Sequence, residues 1–462
     1  MKRSMLKYFA YLSLVIAVAA PLDVSAQSRK QRDQAKAHVA QGDRAFQQKN
    51  YRDAAASYAL AIQLVPNNPY AHYRKGFSHF NLSENDEAIN EFSLALSQGF
   101  SPIEVYRVRG YIYFQQKNYD AAIDDLRAGL AIAPRDLPFL KALGEVNIEK
   151  KDLAAAMSAF QRAAEVAPND ADIDYNLAKI YFASGSTREQ SVSAAAALSK
   201  GTRFPGEAHF LLGDAYQKLG NMPGAIEAYQ KAINSKPDIY QAYRNLAEVY
   251  RNENRYDDAI AISKQALRMF PRDGSIYTDL SWYYSLADRP EDAVEAGKAG
   301  IAFSPDEYMA YTNLCRAYNE IKKYDLAITT CNAALEKRPG DGETYFYLAR
   351  AYNLTNRAAE ATNYYRLAVT GLVDYTNSLP DYSDGWYLLG NAYFADNQRD
   401  NAIDAYRKCL ALSPKFSKAR YNLGIIYTLK KDKASALEQH DRLIPLDARL
   451  ASALKSEIDK IR

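Results

Sequence analysis

The sequence predicts an all-α solenoid of about twelve stacked helical hairpins, finished by a C-terminal capping helix. Three observations carry this. The hexapeptide FQQKNY stands at Phe46–Tyr51 and again at Phe114–Tyr119, 68 residues apart. An alanine recurs in steps of 34 wherever the register holds, at Ala54, Ala88, Ala122 and Ala156, then from Ala225 through Ala259, Ala293 and Ala327 to Ala361, and finally at Ala402 and Ala436. Twelve residues before each alanine stands a small residue, such as Gly42, Gly76, Gly144, Ala247, Cys315 or Gly390, usually with tyrosine three residues later. The hexapeptide distance is therefore two periods.

The elements follow in chain order. Lys2, Arg3 and Lys7 precede an apolar run from Tyr8 to Ala20, and Val24-Ser25-Ala26 supplies small residues for cleavage, so residues 1–26 look like a secretory signal peptide. Thirteen apolar residues fall short of the roughly 20 that a spanning helix needs, and no later segment is long and apolar enough, so no membrane span is expected in the mature chain. Residues 27–34 read as a polar linker. The solenoid occupies residues 35–448, with units starting near 35, 69, 103, 137, 171, 206, 240, 274, 308, 342, 383 and 417. Within a unit, Tyr243, Leu246, Ala247 and Tyr250 form one helical stripe, and Ala259, Ser263, Ala266 and Leu267 a second. The polar run Arg251–Asp257 reverses the chain between them, and a proline such as Pro237 or Pro271 ends most units, since it lacks the N–H that a continuing helix needs.

Two breaks interrupt the register. Gln190 replaces the column alanine and is followed by small residues, which predicts weak stacking over Ser184–Pro205 within an otherwise uninterrupted array. Between Ala361 and Ala402 the step is 41, and the turn residues of Val373–Gly385 predict that the seven additional residues form a loop. Residues 449–462 carry Leu450, Leu454, Ile458 and Ile461 on one stripe under a polar face, as a cap requires.

Leu212-Gly213, Tyr216, Ala225, Tyr229, Ala232 and Pro237 resemble the tetratricopeptide repeat (TPR) family, in a pattern that recurs in phase over about nine-tenths of the chain. The resemblance implies a right-handed superhelix whose first helices line a concave groove for protein partners. It looks like an exported bacterial member, periplasmic or, as the second choice, secreted.

The charge balance excludes several functions. The chain carries a net charge of +3, and +1 once Lys2, Arg3, Lys7 and Asp23 leave with the signal, with both signs mixed along every repeat, so no nucleic-acid surface is expected. Most of the 37 tyrosines fall in or beside packing columns. His38, His72, His79, His209 and His440 all occupy packing positions as well, which argues against a metal site. Asp124-Asp125 and Asp257-Asp258 open second helices, where carboxylates favour the helix dipole. With no phosphate loop, nucleophile elbow or metalloprotease motif, no enzyme activity and no cofactor are expected.

What remains is the groove. One column of the first helices includes Tyr73, Tyr175, Phe210, Arg244, Phe346, Tyr387 and Tyr421, and beside it stand Asn176, Asn245, Asn313 and Asn422. Amides can both donate to and accept from an extended peptide backbone, and this resembles the asparagine ladder of peptide-binding members. Arg244 and Asn245 fit part of a carboxylate clamp, but Glu248 one turn on repels an incoming carboxylate. The expected function is a non-enzymatic exported scaffold for a protein or extended peptide. The alternatives are a periplasmic scaffold of an envelope-assembly or polysaccharide-secretion complex, and an accessory subunit of a transferase or hydrolase. Cys315 and Cys331 lie at the same level on the two helices of one hairpin, equidistant from the turn near Lys322, and so predict a disulfide, with Cys409 left as a buried thiol.

Overall fold

The computed structural model describes residues 21–100 and 102–461, and these form 25 α-helices joined by short turns. Where the repeats predict an uninterrupted array, the chain forms two compact units, divided between Ile173 and Asp174. The first unit contains α1 (Pro21–Gln47), α2 (Tyr51–Leu64), α3 (Pro69–Asn81), α4 (Asn85–Ser97), α5 (Ile103–Gln115), α6 (Tyr119–Ile132), α7 (Leu137–Glu149) and α8 (Leu153–Val166). Helix α9 (Ala171–Ser184) contains the division. The second unit continues with α10 (Thr187–Ser199), α11 (Pro205–Lys218), α12 (Met222–Ser235), α13 (Tyr240–Asn252), α14 (Tyr256–Met269), α15 (Gly274–Leu286), α16 (Pro290–Phe303), α17 (Tyr308–Glu320) and α18 (Tyr324–Lys337). It ends with α19 (Gly342–Leu354), α20 (Ala358–Ser378), α21 (Ser383–Ala395), α22 (Arg399–Leu412), α23 (Ser417–Leu429), α24 (Lys433–Leu443) and α25 (Ala448–Ile458).

The signal-peptide core at Tyr8–Ala20 lies outside the described residues. The stretch 27–34 is the middle of α1 rather than a linker, because Gln, Arg, Lys and Ala are good helix formers and no Gly or Pro interrupts them.

The repeated hexapeptide builds the same turn twice. Lys49 and Lys117 close their helices in the left-handed region at φ 62° and 59°. The ring pairs Phe46–Tyr51 and Phe114–Tyr119 then clasp the turn at 5.2 and 6.1 Å between centroids.

Packing inside a hairpin depends on a pair 16 residues apart. An aromatic ring of the second helix lies against the small residue of the first: Tyr58 on Gly42, Phe92 on Gly76, Phe160 on Gly144, Tyr229 on Gly213 and Tyr406 on Gly390. A Cβ added at Gly144 would stand 2.4 Å from the Phe160 ring, so only glycine admits that approach. Cys315 and Cys331 occupy this same pair of positions, 16 residues apart, and the structure joins them by a disulfide with Cα atoms 5.4 Å apart. Two short side chains there leave room for a bond in place of a ring.

The two register breaks are built differently. Gln190 is fully buried, and its Nε2 donates to the Leu211 carbonyl at 2.7 Å and to Asp214 Oδ2 at 3.0 Å. The amide thus ties α10 to α11, while its Oε1 is buried without a partner. The seven additional residues form no loop but lengthen α20 to 21 residues, against 14 in α18. Leu372 and Thr376 are buried on the extension, and Pro380 follows its end, so the helix continues while it has an apolar face to cover. The cap forms as α25, with Leu454 and Ile458 fully buried and Leu454 filling the space over Gly424.

Within the second unit the hairpins wind back onto themselves. Arg251 at the end of α13 reaches Asp384 at the start of α21, 133 residues on, with Nη1 2.8 Å from Oδ2 and both side chains at most 7% exposed. Beside it Lys415 pairs with Glu253 at 2.5 Å, Asn254 Nδ2 donates to the Lys415 carbonyl at 2.7 Å, and Arg449 pairs with Asp288 at 2.5 Å. This seam joins α13 and its turn to the end of the unit.

Candidate functional site

The residues assigned to a groove fall into three settings. Tyr73, in the first unit, is held in a ring cluster with Phe77 and Phe100, at 5.0 and 5.2 Å between centroids. Tyr175, Asn176, Phe210, Arg244 and Asn245 lie along α9, α11 and α13 of the second unit. There Tyr175 stacks on Phe204 at 4.7 Å, and Phe210 sits between Phe182 and Tyr229 at 6.3 and 6.1 Å. Phe182 is 38% exposed, with the Lys218 ammonium 5.0 Å from its ring. The one sequence signal for Phe182 is that it directly follows the column tyrosine Tyr181.

The polar members of this face are engaged with neighbours. Asn245 Nδ2 donates to the Tyr229 hydroxyl at 3.0 Å and its Oδ1 accepts from Gln241 at 2.6 Å. Arg244 Nε donates to Asp279 Oδ2 at 3.2 Å; burial pushes the Asp279 carboxyl up to about 6, with Arg244 pulling the other way. Asn176 is buried.

Asn313, Phe346, Tyr387 and Asn422 line one cavity of about 540 Å³ between the first helices α15, α17, α19, α21 and α23 and the second helix α20, while Tyr421 packs into the core of the last hairpins. The asparagines do not form a free ladder. Asn313 is 3% exposed, its Nδ2 donating to the Thr278 carbonyl at 3.0 Å and its Oδ1 accepting from Arg316 at 3.1 Å. Asn422 Nδ2 donates to Asn391 Oδ1 at 2.8 Å. The position lies next to the packing leucine, at the contact between consecutive first helices, where an unpaired amide would cost its desolvation.

Arg316 dominates the cavity wall. It is buried, its guanidinium carbon lies 6.0 and 5.6 Å from the Trp282 and Tyr347 ring centroids, and its Nη1 stands 3.8 Å from Glu343, too far for a hydrogen bond. Burial pushes the Glu343 carboxyl up to about 7 against the pull of Arg316. The histidines stay in packing positions: His72 Nδ1 lies 2.6 Å from Glu91 Oε2 and His79 Nδ1 2.6 Å from Glu84 Oε2, two separate pairs in place of a shared site.

Comparison with known proteins agrees with this architecture. Family models described as Tetratricopeptide repeat match residues 175–242, 210–274, 244–308 and 316–374, and related ones match 383–416, 103–136 and 142–170. A model described as TPR repeat matches residues 42–83. No curated protein matches the chain. Among solved structures, yeast Tom70 is similar at 16% identity over 92% of this chain and 95% of its own, with a TM-score of 0.36. The TPR domain of P58(IPK) is similar at 18% identity over 70% of this chain and 99% of its own, with a TM-score of 0.24. The MamA protein is similar at 23% identity over 36% of this chain and 91% of its own, with a TM-score of 0.33.

Proposed function

Because the chain belongs to the tetratricopeptide repeat family, we propose that it is an exported, non-enzymatic scaffold that holds a protein partner by an extended segment on the face of α9, α11 and α13. The observation that carries this reading is the aromatic run of Phe182 and Phe210, partly exposed and flanked by Lys218. Aromatic surface gives contact area at low entropic cost. The polar groups beside it are tied to each other, Asn245 to Tyr229 and Arg244 to Asp279, so the face offers rings rather than a poised base or nucleophile.

Support for export comes from the charge and apolar order of residues 1–26 and from the Cys315–Cys331 bond, since disulfides persist in oxidising compartments. Cross-linking in cells tests the binding face. The wild-type chain, recovered from the cell envelope and beginning at Gln27, is expected to carry a cross-linked protein that the Phe182→Ala variant loses while it stays folded. Equal cross-linking by the variant, or a chain retained in the cytoplasm with Met1 in place, would overturn the reading.

A further inference from the structure

The cavity of the second unit holds far more hydrogen-bonding capacity than the fold uses. Among the described residues that line it, Arg350, Glu320 and the hydroxyls of Tyr365, Tyr375 and Tyr382 make no hydrogen bond or ion pair with protein. Arg316 Nε is likewise buried without a partner, and the Glu343 carboxylate meets only the distant Arg316. Arg350 is exposed and the phenols reach the solvent of the cavity, so these groups are free to bind a ligand that displaces water, whereas the buried Arg316 Nε is left unpaired by the fold itself.

The chemistry of the wall selects among ligands. A wholly apolar molecule would strand these polar groups without partners. An isolated carboxylate would be drawn by Arg316 and Arg350 but would meet Glu320 on the same wall. An extended polypeptide would run past a half-open cavity of this size, whereas a compact molecule fills it. The volume of about 540 Å³ falls within the roughly 300–1,000 Å³ of small-molecule sites. What fits is a compact molecule whose groups each both donate and accept, and whose ring faces present C–H bonds to aromatic π-faces, which carry negative charge density. Guanidinium and carboxylate groups match pairs of neighbouring hydroxyls, phenols serve as donor or acceptor, and Tyr365 and Phe394 supply aromatic surface, while Trp282 is covered by the Arg251 guanidinium at 4.8 Å.

We propose that this cavity binds a neutral saccharide of one to a few units, with Arg350, Glu343 and the phenols of Tyr375 and Tyr382 reading its hydroxyls. The site lies on other helices than the α9–α13 face, so it stands or falls independently of the protein-binding reading.

The test uses the full mature chain on an array of neutral glucose-, galactose-, mannose- and N-acetylglucosamine-based mono- to tetrasaccharides, followed by calorimetric titration of the best binder. Saturable one-to-one binding is expected, weakened at least tenfold by Arg350→Ala and by Tyr375→Phe and unchanged by Phe182→Ala. Arg350 has no protein partner to lose, and Tyr375→Phe keeps the ring, so at least one variant stays folded. No binding to any array member at millimolar concentration would overturn the proposal. Binding that is indifferent to both variants, or binding confined to acetate, acidic saccharides or short acidic peptides, would overturn it equally.

Discussion

Glycine and its ring partner decide how closely two helices of a hairpin approach. The Gly144 column shows this at two positions with opposite outcomes. At Gly144 an added methyl would enter the Phe160 ring, whereas at Gly110 the residue 16 positions on is Leu126 and the nearest atom to an added Cβ is 3.5 Å away, an ordinary contact. Gly144→Ala is therefore expected to destabilise the first unit by about 1–3 kcal/mol through overpacking. Gly110→Ala is expected to be neutral or to stabilise by up to about 1 kcal/mol, because alanine restricts the unfolded chain and favours the helix. Urea unfolding of the two variants checks the pair, and equal effects would refute the ring-on-glycine account. Disulfide formation at Cys315 and Cys331 belongs to the same scale: the pair substitutes a covalent bond for the ring contact at the same two positions.

At the scale of elements, a solenoid has to end without exposing its last stripe. Helix α25 does this by placing Leu454 over Gly424 and burying Ile458, while Lys455, Glu457 and Lys460 remain toward water. Leu454→Ala is expected to cost about 2–5 kcal/mol, as for other fully buried leucines, and to speed hydrogen exchange in α23 and α25 before α10. Exchange that rises uniformly along the unit would count against a local cap. Helix α20 makes a related point, since a seven-residue insertion there became two further turns of helix whose Tyr375 lines the cavity. An insertion at the end of a second helix can lengthen that helix when the added residues continue its apolar stripe.

At the scale of the second unit, closure rests on the seam, and within it on Arg251 and Asp384. The exposed pairs Glu253–Lys415 and Asp288–Arg449 contribute little alone, because water and salt screen them. The buried pair behaves differently: removing one partner leaves an uncompensated charge. Arg251→Ala is expected to cost about 3–5 kcal/mol and to raise the radius of gyration in X-ray scattering as the unit opens. Replacing both partners, in an Arg251→Met, Asp384→Leu variant, is expected to recover most of that stability. If the double variant were as unstable as the single one, the pair would not be the element that holds the seam.

The amino-acid sequence alone carries the repeat, its period, the hairpin within each unit, the cap, and the level match of Cys315 with Cys331. These are local or nearest-neighbour properties: a stripe at helical spacing, a turn residue, and a pair fixed 16 positions apart are all written within one repeat length. The groove residues were legible only as columns. Their columns were visible, but whether Asn313 would face a ligand or brace Thr278 depended on how far one hairpin rotates on the next, which no single repeat records. The division at Ile173, the helical fate of the insertion, the seam and the cavity were decided by tertiary structure alone. Arg251 and Asp384 are 133 residues apart, and small rotations at each intervening hairpin sum to the curvature that brings them together. A sequence states each residue's chemistry; only the accumulated geometry of the stack says which of them meet.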